Sequence, residues 1–339
     1  MNKNIVFYLP KGSLNDATNY YVSLIEESFV ELGCSVTRVE NVTGVKGADV
    51  ALTIETVPFF SVKRKFPLMK QMNWFQGVFP EEAYLNRKSI FYYYIFNCLE
   101  MLSLNFSKLN FMVSDAMLKH YENKYKLKLA NKSVIIPCYN KLLIKKYFNI
   151  LGRYDKPSFV YAGSLSKWQC IEETLQIYSQ IEKELPNATL TLLTKEKEKA
   201  LGLIKKYNIK NCTINYVLLD NLDKELSKYK YGFLIRKDDV INNVATPTKM
   251  NSYLATGLIP IFTDVIYDFN KHINMEDYVI KLDNKKEIEL WVRKIIDFEN
   301  NTKINSNDYF IEVEKCFNNY YSDLLYKNKI KNKIKEILT

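Results

Sequence analysis

Short apolar runs alternate with helical segments from end to end of this chain, and no other feature limits its folds as much. NIVFYL (4–9) reads as a strand, and ATNYYVSLIEESFVELG (17–33) as a helix stopped by Gly33. SVTRVE, DVALTI, QMNWF (71–75), FMVSD (110–114) and SVIIP (133–137) read as further strands, with a long helical segment over 84–104. The pattern pauses at the Gly and Pro of LGRYDKP (151–157) and then restarts with SFVYAG, TLTLL, TINYV, YGFLI and IPIFT, each separated by a helical stretch. A parallel partner strand is reached only by a crossover, so such alternation calls for parallel sheets covered by helices. Made twice with a break between, it predicts an α/β chain of two facing Rossmann-like domains, 1–152 and 153–305. A helix and a basic tail over 306–339 follow, and are expected to pack back toward the first domain. Ligands of open α/β sheets bind at the carboxyl ends of the strands, so an interdomain cleft is expected there.

Composition narrows the partners. The 339 residues carry 48 basic and 38 acidic side chains, a net charge of +10 that suits an anionic partner. The basic residues are dispersed and accompany no nucleic-acid motif, which leaves a membrane surface or a phosphorylated small molecule and disfavours nucleic acid. Six scattered cysteines without a CxxC pair read as reduced thiols of a cytoplasmic protein. The first residues read as a strand and not as a targeting peptide. SIFYYYIFNCLEMLSL is interrupted by Asn97 and Glu100 and is too short to span a bilayer. With RKSIFYYYIF and the KNKIKNKIKEI tail, it raises peripheral attachment to the inner face of the cytoplasmic membrane. The plainer readings are a buried helix and a solvated helix end. His120 and His272 are the only histidines, which disfavours a histidine-built zinc site, and His120 is expected on a water-facing helix surface. GxSxG, Walker A and GxGxxG patterns are all absent.

Two stretches of the second half carry candidate chemistry. SFVYAGSLSKWQC sets Gly163 and Ser164 directly after a strand, with Lys167 next, where backbone and amine can approach a phosphate. YGFLIRKDDVINNVATPTKMNSYLATG places Arg236 and Lys237 directly after another strand. Thr246 then reads as an N-cap and Pro247 as the first helical residue, where its missing N–H costs nothing. The free amides at 248–250, the helix dipole and Lys249 would form an anion site. An N-capped helix with exposed basic residues is the plainer alternative.

These two stretches, together with NWFQGVFPEEAYL (73–85), resemble GT-B glycosyltransferases of the retaining, glycogen-synthase-like superfamily, most closely those that build bacterial surface polysaccharides. The resemblance implies a GT-B fold. It also implies a sugar nucleotide bound on the second domain, and a glycan or polyprenyl-linked acceptor on the first. Position by position, it gives Gly12, Ser13, Gly163, Lys167, Arg236, Thr246, Pro247, Thr248 and Lys249 to the donor diphosphate. Asn242 and Ser252 fall on the nucleoside side, and Trp74, Gln76 and Gly77 on the acceptor side. Glu81 and Glu82 are the catalytic or acceptor-contacting candidates, although two acids opening a helix equally suit its dipole. Ser252 stands where relatives carry a glutamate, and Ser164 where a basic residue is frequent. The function implied is sugar transfer from a nucleoside diphosphate donor with retention and without a metal or other cofactor. A sugar-nucleotide epimerase and a catalytically silent subunit of an assembly complex are the alternatives.

Overall fold

The computed structural model describes residues 1–338, apart from the side chains of Asp16, Ala17, Arg87 and Glu276. Its strands form two six-stranded sheets in which every pairing is parallel. The first holds β1 (Asn4–Tyr8), β2 (Ser35–Val39), β3 (Val50–Ile54), β4 (Lys70–Phe75), β5 (Leu109–Met112) and β6 (Ser133–Ile135), in the order β2-β1-β3-β4-β5-β6. The second holds β7 (Ser158–Ala162), β8 (Thr189–Leu193), β9 (Cys212–Asn215), β10 (Tyr231–Leu234), β11 (Ile259–Thr263) and β12 (Ile280–Leu282), in the order β12-β11-β10-β7-β8-β9. Chain direction across each sheet reverses at one place, between β1 and β3 in the first and between β7 and β10 in the second. Such a switch point opens a crevice at the carboxyl ends of its two strands. The expected α/β class with two Rossmann-like parallel sheets is what the chain adopts.

The chain divides into two compact units, Met1–Asn140 with Asn243–Thr246 and Tyr321–Thr339, and Lys141–Asn242 with Pro247–Tyr320. Thr339, the last residue of the expected tail segment, lies outside the described residues. β3, β10 and β11 are buried along their whole length, as strands covered on both faces must be.

The structure corrects four local readings. The helical segment 84–104 is two helices, Phe79–Arg87 and Ile90–Phe106, because Lys88 turns left-handed at φ +51° and closes the first on the Tyr84 carbonyl. The second of these is not a buried helix at its start, where Ile90, Phe91 and Tyr94 are 60%, 67% and 64% exposed. The expected helix after residue 305 is also two, Ser306–Tyr320 and Asp323–Leu338. Finally, the basic tail is not simply solvated. Its helix buries Tyr326, Ile330 and Ile334, while Lys327 and Lys331 pair with Glu27 and Glu31 of the helix Asp16–Glu31. Tyr20 and Tyr139 both donate to the Asp323 carboxylate at its start.

Candidate functional site

The second unit places its buried cations at the switch point between β7 and β10. Tyr253 fixes the geometry there. Its hydroxyl accepts from the Ala162 N–H at 3.3 Å and donates to the Phe233 carbonyl at 3.2 Å, which ties it to the ends of both strands. Gly232 makes room for the ring, since a Cβ there would stand 2.6 Å from Cδ2 of Tyr253. The helix Thr248–Ala255 is thereby locked across β7 and β10, and Lys249, one turn earlier on the same face, projects toward their carboxyl ends. That helix ends at Gly257, whose φ of +73° lets Leu258 bond back to Tyr253.

Arg236 follows β10. Its backbone exchanges hydrogen bonds with the Thr263 hydroxyl on β11, at 2.9 Å and 2.8 Å. Its guanidinium, only 3% exposed, donates from Nη2 to Oε1 of Gln169 at 2.7 Å and from Nη1 to the Gln169 carbonyl at 3.2 Å. Lys249 Nζ donates to the same Oε1 at 2.6 Å and lies 4.1 Å from the centre of the Tyr161 ring. Two cations thus meet on one neutral oxygen. Among the described residues neither forms an ion pair with a carboxylate. Asp239 is near enough for its charge to reach Arg236, but its oxygens accept from the Asn242 amide groups. Burial, and then the charge of Arg236, hold the Lys249 amine well below its ordinary pKa. Buried cations without counterions are costly, and an anion entering here would lower that cost.

The remaining donor-side residues separate into two groups. Gly163 follows β7 directly, and Thr248 opens the helix beside Lys249. Lys167 is exposed on the loop that ends in Gln169, and Ser252 is 8% exposed in the middle of the helix. Pro247 is the N-cap and not the first helical residue. Thr246 is not the cap, because its buried hydroxyl accepts from Cys138 N–H at 2.9 Å and donates to the Val113 carbonyl at 3.3 Å within the first unit. Asn242 is held by its own loop. It is 2% exposed and its amide donates to Lys237 O and Asp239. Lys237 pairs with Glu173.

In the first unit, Gly12 and Ser13 follow β1, and Gln76 and Gly77 follow β4. Ser13 Oγ is buried with no hydrogen-bond partner. Trp74 does not line an open edge. Its indole is 1% exposed and packs edge-on against Tyr21 at 5.1 Å. Glu81 bonds Lys124 at 2.6 Å and stands 3.6 Å from His120 Nε2, so His120 is part of a charged cluster and not on a water-facing surface. Burial raises the Glu81 carboxyl, but the nearby His120 and the bond from Lys124 outweigh it and leave the pKa lowered. Glu82 presses on Gly77, where a Cβ would meet its Oε1 at 2.1 Å, and burial pushes its carboxyl up.

A residue that the sequence did not single out stands at this edge. Glu55 follows β3, beside the switch point of the first sheet, at φ +64° and ψ 176°. That region is nearly closed to side-chain-bearing residues and costs about 1–3 kcal/mol. The Gln76 N–H donates to its Oε1 at 2.7 Å, while Oε2 is buried without a partner. Burial, reinforced by Glu82 and Glu100, raises its carboxyl to about 8. Glu100, bonded to Tyr125 at 2.6 Å, is raised to about 7 by burial.

No protein-family model matches the chain, and no curated protein matches it in sequence. Solved structures do match. Sucrose-phosphate synthase from Thermosynechococcus elongatus aligns over 99% of this chain and 99% of its own, with TM-score 0.72 and 12% identity. HepE from Anabaena, solved with UDP-glucose, aligns over 99% and 100%, with TM-score 0.71 and 8% identity. TarM from S. aureus, in a complex that includes UDP, aligns over 87% of this chain with TM-score 0.63 and 11% identity, and this chain covers 57% of its length. At such identities the likeness establishes the fold, which is GT-B.

Proposed function

We propose that the chain is a glycosyltransferase that draws its sugar from a nucleoside diphosphate donor. The observation that carries this reading is the convergence of Arg236 and Lys249 on a neutral oxygen at the switch point of the second sheet. A departing diphosphate placed there would have its developing charge met by two fixed cations, the arrangement that lowers the barrier to bond cleavage. The countercharge comes from protein side chains, so the reading needs no metal. HepE and TarM were solved with uridine nucleotides, which makes uridine donors the first to try. Resemblance supports retention of configuration, and a glycan or lipid-linked acceptor in bacterial surface polysaccharide synthesis. A thermal-shift screen of sugar nucleotides, followed by assay of nucleoside diphosphate release, tests the reading. Release that depends on an added acceptor supports transfer, and release without one favours an epimerase or hydrolase. No stabilisation of the folded chain by any sugar nucleotide contradicts it.

Ser252 favours a second reading, a silent partner in an assembly complex, because a serine cannot bridge two ribose hydroxyls as a carboxylate does. Glycan synthesis that survives Lys249→Ala in cells would support it. The exposed start of the helix Ile90–Phe106 supports docking on the inner face of the cytoplasmic membrane. Phe91, Tyr92 and Tyr94 present rings there, and the stretch 83–99 contains Arg87 and Lys88 but no acid. Among the described residues no helix is long and apolar enough to cross a membrane. Sedimentation with anionic vesicles at low salt, lost on Phe91→Ser with Tyr94→Ser, is the expected result, and no sedimentation of the unaltered chain counts against docking.

A further inference from the structure

We propose that Gln169 is an internal stand-in for the donor's phosphate, a neutral oxygen that holds Arg236 and Lys249 in place and is withdrawn when a nucleoside diphosphate binds. The inference rests on the transferase reading above, and it concerns how this chain keeps an anion site formed without an anion.

An amide oxygen has two lone pairs. Oε1 of Gln169 spends both, one on Lys249 Nζ at 2.6 Å and one on Arg236 Nη2 at 2.7 Å. A phosphate oxygen that takes these same two N–H bonds takes the place of this atom. A glutamate at 169 would cancel the charge and compete with the ligand for as long as it stayed. An apolar side chain would leave two buried donors unmet. Glutamine satisfies the donors without neutralising them, and so keeps the pull on an anion intact.

The backbone also fits the role. The Gln169 carbonyl accepts from Arg236 Nη1 at 3.2 Å and the Ile235 carbonyl from the same atom at 3.0 Å, so the guanidinium stays tethered when the side chain leaves. Gln169 closes a short turn, Lys167–Gln169, and Cys170 at φ +50° starts the next helix, so the side chain moves from a fixed base. A neutral ligand offers nothing better than the amide it would displace. An anionic one does, which makes the exchange selective for charge.

The test uses the full-length chain and titrates UDP and inorganic pyrophosphate into the unaltered protein, Gln169→Ala and Gln169→Glu. Removing the stand-in lifts the cost of displacing it, so Gln169→Ala is expected to bind UDP about three- to tenfold more tightly. Gln169→Glu is expected to bind both probes at least about thirtyfold more weakly, and to melt at a higher temperature because its carboxylate pairs with both cations. Gln169→Ala binding no more tightly than the unaltered chain overturns the proposal, and weaker binding would make Gln169 a ligand of the donor instead. Unchanged affinity in Gln169→Glu also overturns it. If the unaltered chain binds neither UDP nor pyrophosphate nor any other nucleoside diphosphate, the transferase reading itself fails; that outcome is distinct from a change confined to the variants.

Discussion

Lys249 occupies the space that a side chain at Gly163 would need. A Cβ built on Gly163 would stand 2.7 Å from Cε and 2.8 Å from Nζ of Lys249, and the glycine sits at φ +140°. Gly163→Ala is therefore expected to push the amine off the Gln169 oxygen and to strain the loop. The predicted result is a loss of nucleoside diphosphate affinity of about tenfold or more, which corresponds to about 1.4 kcal/mol, seen by calorimetric titration. Unchanged affinity would mean that Lys249 does not bind the ligand.

Lys249 also predicts a proton linkage. Burial first, and the charge of Arg236 second, hold its pKa well below that of a free amine. A bound diphosphate favours the ammonium form and raises that pKa again, so binding takes up a proton at pH values between the two. Affinity then falls as pH rises through that window. Titration of UDP in buffers of differing ionisation enthalpy reads the uptake directly, and Lys249→Met should abolish it.

Glu55 gives a pH dependence of stability. Its carboxyl is raised from 4.5 to about 8 in the folded chain, so the folded state binds the proton more tightly than the unfolded state does. The stability this contributes is complete below the unfolded value and is lost as pH rises through about 8. Thermal melts of the native chain should fall between pH 5 and pH 9, with Glu100 adding to the trend through its value of about 7. Glu55→Gln cannot lose a proton, and its melting temperature should decline less over the same range.

Lys124 is the cation that serves two acids, Glu81 at 2.6 Å and Glu100 at 3.4 Å. Its removal leaves the fully buried Glu100 carboxyl without that charge partner. Lys124→Met is expected to destabilise the chain by about 3 kcal/mol at pH 9, where Glu100 is ionised, in denaturant titration, and by less at pH 5, where Glu100 is protonated without help.

Much of the architecture was legible because sheet strands here are apolar runs punctuated by Gly, Pro and Asn, and pattern alone marks those. β12 escaped because Ile280, Lys281 and Leu282 are only three residues long with a charge in the middle. Strand order was not legible at all, since pairing is settled by tertiary packing and not by local pattern, yet it is strand order that pairs β7, which Gly163 follows, with β10, which leads to Arg236. Arg236 and Lys249 announced themselves by charge. Gln169 did not, because a neutral amide gives no signal until its partners are known. Glu55 was hidden for another reason. Nothing in a glutamate following a strand indicates a positive φ, and the bonds that hold it come from the Trp74 carbonyl on β4 and the Gln76 N–H just after that strand. Thr246 was misread because residue preference names a good cap but cannot see the Cys138 N–H, distant in sequence, that claims its hydroxyl.

The central claim is that Arg236 and Lys249 form a diphosphate site, and titration calorimetry with a panel of nucleoside diphosphates tests it most directly. The native chain should bind at least one of them, and Lys249→Ala and Arg236→Ala, checked for folding by circular dichroism, should each weaken that binding at least about tenfold, or about 1.4 kcal/mol. A folded native chain that binds none of the panel, or a Lys249→Ala variant that binds as tightly as the native chain, would contradict the claim.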